Sequence, residues 1–309
     1  MVTLILFVLI FGVVVVSHEF GHFLLAKANG IHVIEFSVGM GPNLFSFQKG
    51  DTKYSLKLLP IGGACMFEGE DGLNEKEDGE DHSGSFLNAN VWARISTVLA
   101  GPVFNFILGF VIAFIMVNLI TTIRDPVATE IVDGGAAQEA GLQAGDRILS
   151  LNGSKIHLYE EIQLFTLTYR GGDVAVQYER DGVKGTTTLT PKYDESTGRY
   201  MIGISNADFV QLSGLDCFRY SWYEMRYCVT MTWKSLAMLV QGQVSRQDVA
   251  GPVGIAVNVV GKTYETTKDY GWQNVLVSML NITLMLTVNL GILNLLPVPA
   301  LDGGRLVFL

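Results

Sequence analysis

The sequence predicts an α-helical polytopic membrane protein with a membrane-associated β-hairpin region and an inserted α+β domain. Three observations carry that class. Residues 1–28, 93–123 and 273–309 hold apolar runs long enough to cross a bilayer. Residues 32–66 alternate β-branched and aromatic positions between glycine turn signals. Residues 127–207 lose the apolarity and read as a small soluble domain between membrane helices. The mean hydropathy of +0.34 and the 17% of charged residues fit no soluble class better.

The first run defines the chemistry. Residues 2–16 carry no charge, and residues 2–28 would rise about 40 Å as a helix, against a bilayer core of roughly 30 Å. No Lys or Arg precedes Lys27, so this is not the basic start of a signal peptide. Within the run lies HEFGH. His18 and His22, four apart, fall on one helix face one turn apart, the spacing that holds a single zinc ion, with Glu19 beside them to take a proton from the attacking water. Ionisable side chains inside membrane helices cost about 2.5–3.5 kcal/mol each on insertion scales, so three in one turn demand a compensating role. A longer histidine pattern fails, because Leu25 and Ala28 stand where it needs Gly and His. His32 therefore reads as an interfacial residue.

The region 32–66 reads as short strands re-entering the membrane, which is tolerable only where protein or a water-filled cavity shields the backbone. An open strand edge there would pair with an extended substrate. Residues 67–92 form an acidic, solvated loop without the ligand spacing of a calcium loop. In the second span, AGPVFNF places Pro102 and Asn105 in lipid-depth sequence, so this segment faces protein. Asn105 either hydrogen-bonds to a neighbouring helix or faces a substrate.

In the soluble region, GGAAQEAGLQAGDRILSLNG resembles the core of PDZ domains: a short helix, a Gly-Asp turn, an Ile-Leu strand and an Asn-Gly hairpin. That resemblance implies a site for an extended peptide or chain end. Residues 208–272, with scattered aromatics, read as an interfacial amphipathic region in contact with the lipid bilayer. The third span, from about residue 274 to 296, runs into NLLPVPALDGG. A carboxylate at such a place needs a partner, and a catalytic zinc usually has three protein ligands. Asp302 is the best-placed acid to join His18 and His22, with Glu35 its rival by sequence.

The net charge of −9, with no basic stripe, argues against nucleic acid. Cys65, Cys217 and Cys228 stand far apart and suggest neither disulfide nor cysteine zinc site.

HEFGH, AGPVFN, the PDZ-like region and NLLPVPALDGG together resemble the site-2 protease family, intramembrane zinc metalloproteases of the bacterial regulator-of-sigma-factor type. The resemblance implies Zn2+ held by His18, His22 and Asp302, Glu19 as general base, and Asn105 and Asn294 near the substrate path. It implies cleavage in or near the transmembrane segment of a single-pass protein, an anti-sigma factor or a remnant signal peptide. It also implies a multi-pass protein of the bacterial inner membrane with the zinc end and the acidic 67–92 loop toward the cytosol, the PDZ domain outside, and a further spanning helix past Leu309. Two other classes compete: a membrane-tethered PDZ scaffold without catalysis, and a transporter with broken helices. Bound zinc together with proteolysis separates both from the protease.

Overall fold

A computed structural model describes residues 1–70, 84–243 and 251–309. The acidic run expected at 67–92 falls largely on residues 71–83, outside the described residues. Two units hold separate cores: residues 1–116 with 239–309, and residues 117–238. In chain order the first contains α1 (Val2–Ala28), β1 (Val33–Lys49), β2 (Thr52–Phe67) and most of α2 (Val91–Ile120). The second follows with β3 (Thr122–Ile131), α3 (Ala136–Glu139), β4 (Arg147–Leu151), β5 (Ser154–Lys155), α4 (Tyr159–Thr168), β6 (Val174–Arg180), β7 (Val183–Leu189), β8 (Lys192–Asp194), β9 (Arg199–Met201), β10 (Ile204–Gln211) and most of α5 (Leu215–Val240). The chain then returns to the first unit through α6 (Pro252–Gly254), a π-helical run at Ile255–Gly261, α7 (Lys262–Thr267), α8 (Trp272–Asn294) and α9 (Asp302–Val307).

In the first unit α1, α2 and α8 are each long and apolar enough to cross a membrane. Their outer faces leave Leu4, Ile5, Ile107 and Val111 exposed, as lipid-facing helices do. The second span ends at Ile120, short of the expected 123, because Thr121 turns the chain at φ +56° into β3. The third ends at Asn294. Pro297 and Pro299 cannot continue a helix, so residues 295–301 form a turn and α9 starts separately at Asp302.

The region expected as a hairpin is a small mixed sheet of four runs, antiparallel except where 35–38 lie alongside 53–56. Residues 35–38 pair on one side with 53–56 and on the other with 63–66, while 43–49 pair with 52–57. The run 63–66 is thus an outer edge. Gly39 makes the bend possible: it adopts φ +89°, and a Cβ there would stand 2.6 Å from the Leu59 carbonyl oxygen. The far end exposes Met40, Leu44, Phe45, Phe47 and Leu59, an apolar surface suited to lipid rather than water.

In the second unit the sheet order is β10-β3-β4-β6-β7, with β5 beside β4, all antiparallel. Val174 and Val176 point into the core and Ala175 and Gln177 out, the period-two pattern of a half-buried strand. They pack with Ile148, Leu151 and Ile162. Asn152 and Gly153, at φ +47° and +78°, close the tight turn that their sequence predicts. The sheet runs beyond 127–207 at both ends, because Thr122 pairs with Gln211 and buries Ile123 beside Leu212. Residues 208–211 are therefore strand rather than interfacial helix, and α5 packs Cys217 and Tyr220 onto this same core.

Glu224 of α5 lies close to Glu160 and Glu161 of α4. Burial first, and then these two carboxylates, push its carboxyl up to about 8 from 4.5. A raised folded value contributes stability that is complete below pH 4.5 and lost as pH rises toward 8. Glu224→Gln is expected to flatten the stability of this unit across that window and to raise its unfolding temperature most at pH 8. Thermal unfolding followed by circular dichroism at several pH values checks it. An unchanged pH slope in the variant would exclude Glu224 as the titrating group.

Candidate metal centre

The middle of α1 carries the histidines. His18 and His22 are both buried, their rings edge to face, and their Nε2 atoms stand 3.2 Å apart. Asp302, the first residue of α9, brings Oδ2 to 3.1 Å from His18 Nε2 and 3.2 Å from His22 Nε2. Three potential ligand atoms thus lie within 4.8 Å of one another.

The donor chemistry fits a cation. His22 Nδ1 donates to the Thr97 carbonyl at 2.9 Å, which leaves the Nε2 lone pair of a neutral ring turned toward Asp302. The Asp302 Oδ2 atom is buried and accepts no hydrogen bond. Lone pairs converging without a proton between them are costly unless a positive ion stands among them. The spacing suits zinc: bonds of about 2.05 Å at tetrahedral angles put ligand atoms about 3.3 Å apart.

Small residues let the elements close on this point. A Cβ on Gly101 of α2 would fall 2.2 Å from His22 Nε2, and one on Gly21 of α1 would fall 2.4 Å from the Ala100 carbonyl oxygen. These contacts give AGP its reason. Beyond α8, a Cβ on Gly303 would meet the Leu296 carbonyl oxygen at 2.3 Å and one on Gly304 the Val298 carbonyl oxygen at 2.2 Å, so the paired glycines fold the turn tightly enough to return Asp302 to α1.

A cavity of about 490 Å³ opens on the triad, lined by His18, Glu19, His22, Asn294 and Asp302 on one side and by residues 61–67 of β2 on another. Glu19 reaches it beside Gly63, where a Cβ would crowd its Cγ at 2.8 Å. Asn294 places Nδ2 3.5 Å from His18 Nε2. Asn105 is fully buried and sits outside the cavity lining, with Nδ2 3.1 Å from His18 Nδ1. Glu35 pairs with Lys57 in the sheet at 3.7 Å and is absent from the triad. His32 pairs with Glu68 at 2.9 Å. Sequence reasoning missed the Thr97 carbonyl, for which no side-chain signal exists, and Gly101, whose signal was its place in AGP.

The family model for peptidase family M50 matches residues 6–309. The chain belongs to peptidase family M50. This M50 peptidase is 33% identical to a zinc metalloprotease RasP of Bacillus licheniformis, over 99% of this chain and 89% of the relative. It is 30% identical to the RasP zinc metalloprotease of Geobacillus kaustophilus, over 99% of this chain and 88% of that one. It is also 30% identical to the regulator of sigma-W protease RasP of Bacillus subtilis, over 99% of this chain and 89% of the relative. The M50 chain is a zinc metalloprotease of the site-2 protease family, and the three membrane-length apolar helices among the described residues make it a polytopic membrane protein with a β-containing domain.

Proposed function

We propose that this M50 peptidase hydrolyses a peptide bond in or near the transmembrane segment of a single-pass membrane protein, with His18, His22 and Asp302 as zinc ligands and Glu19 as general base. The observation that carries the reading is the convergence of two imidazoles and a carboxylate at mid-depth of an apolar helix, in a cavity that also holds Glu19. When bound there, zinc supplies Lewis acidity, making water nucleophilic near neutral pH and polarising the scissile carbonyl.

The residues of this chain do the rest. Glu19 takes the proton of the attacking water and returns it to the leaving amine. Asn294, in the cavity wall, donates to the carbonyl oxygen as negative charge develops on it. The edge run 63–66 has no second strand partner among the described residues, and an unwound substrate adds there as a strand, which holds the scissile bond extended. Residues 122–211 are read as a PDZ domain on the extracytoplasmic side that receives an extended peptide or chain end, with the zinc end toward the cytosol of a bacterial inner membrane. The name of the B. subtilis relative supports an anti-sigma factor as substrate, and a remnant signal peptide is of the same chemical class.

Asn105 is assigned to His18. Its Oδ1 is buried without a partner while Nδ2 faces the ring. Turned half a rotation, the amide satisfies Oδ1 by accepting from His18 Nδ1–H, which fixes the tautomer that leaves Nε2 free for the ion. Asn105→Leu is expected to weaken zinc binding about 10–100-fold, the usual cost of losing such an outer partner. Competition with a chromogenic chelator measures it, and an unchanged affinity would leave Asn105 a packing residue. The function itself is tested by reconstituting the purified protein with a single-pass substrate and mapping the cut by mass spectrometry. The expected cut lies within or at the border of the apolar segment; cuts confined to the soluble flanks would contradict it.

A further inference from the structure

We infer that a cationic cavity in the second unit binds the headgroup of an anionic phospholipid. The cavity, about 520 Å³, lies between the outer face of the sheet and the first turns of α5. Arg147, Lys155, His157, Lys184, Arg219 and Tyr220 line it, and among the described residues no Asp or Glu does. Two of the cations are already compensated. Arg147 donates from Nη1 to the buried Asp125 at 2.8 Å, and the Tyr220 hydroxyl donates to the same carboxylate at 3.1 Å. Arg219 pairs with Asp216 at 2.9 Å. Lys155 and Lys184 carry no ion pair among the described residues. The lining itself is therefore net cationic, with Lys155 of β5 and Lys184 of β7 outside those ion pairs and the Glu179 carboxylate across the ladder from Lys184 rather than in the lining.

One wall is stiff. The His157 and Tyr223 rings stack with centroids 4.1 Å apart and planes 2° from parallel, joining the sheet side of the cavity to α5. The same turns of α5 also present an apolar stripe. Leu215, Phe218 and Trp222, at helical spacing, are 89%, 57% and 52% exposed, and Arg219 stands beside them. A charged pocket next to exposed aromatic and aliphatic side chains matches an amphiphile whose phosphate enters the cavity while its acyl chains lie along the stripe. A free phosphate would use the lysines and leave the stripe unexplained.

The test uses the full-length protein in detergent, offered an equimolar mixture of phosphatidylglycerol and phosphatidylcholine, with retained lipid counted by native mass spectrometry. Wild type is expected to retain phosphatidylglycerol at least about tenfold in preference, each basic residue near an anionic headgroup contributing several-fold. K155E/K184E, two exposed positions outside the core, should bring retention to near parity, and the neutral K155Q/K184Q should fall between. F218S/W222S should lower lipid retention with the lysines intact. Parity in wild type, or a preference unchanged in K155E/K184E, would overturn the assignment. So would displacement of the lipid by millimolar inorganic phosphate, or retention indifferent to F218S/W222S, since either outcome makes this a site for free phosphate.

Discussion

Glu19→Gln is expected to retain zinc and to lose cleavage. The amide keeps the shape that fits beside Gly63, leaves the triad untouched, and removes a cavity carboxylate that, unlike Asp302 and the Arg305-paired Glu70, stands beside the triad outside any ion pair among the described residues. Loss of a positioned general base costs about 10²–10⁴-fold in rate, which brings a slow membrane hydrolysis to background. Metal content and cleavage are read on the same preparation. Full cleavage by this variant would remove Glu19 from the mechanism, whereas lost zinc would mean that the carboxylate helps to hold the ion.

Asp302→Ala is expected to strip the metal. The carboxylate is one of the three converging groups proposed as ligands, and losing it should cost more than the about 10–100-fold expected for an outer partner such as Asn105. The fold should survive, since α9 is six residues long and the paired glycines that shape its approach remain. Zinc stoichiometry after dialysis decides. An unchanged stoichiometry would call for another third ligand, and Glu35, held by Lys57 in the sheet, is not in position to be one.

Much of the centre was legible because its chemistry is local. HEFGH needs only helical periodicity to bring His18 and His22 together. Asp302 lies far along the chain, yet the demand for a third ligand and the rarity of carboxylates at the end of an apolar run single it out. Asn105 was legible as a polar residue in lipid-depth sequence, but its partner was not: that depends on how α2 rotates about its axis, which Gly21 and Gly101 set by allowing close approach. The order of runs in the sheet of residues 35–66 was hidden because both halves of β1 share the stretch 52–57 of β2 while the first half also takes 63–66, a matter of non-local pairing and of one left-handed bend at Gly39. α5 looked interfacial from its aromatics. Its attachment to the second unit rests on Tyr220 reaching Asp125, 95 residues away, which no window of sequence displays.

The most direct measurement is zinc content and cleavage on one purified preparation of wild type and of a His18→Ala, His22→Ala double variant. The account predicts about one zinc per wild-type chain, none in the double variant, and cleavage of a single-pass substrate that a chelator stops and added zinc restores. Full zinc in the double variant, or cleavage that persists without the metal, would contradict it.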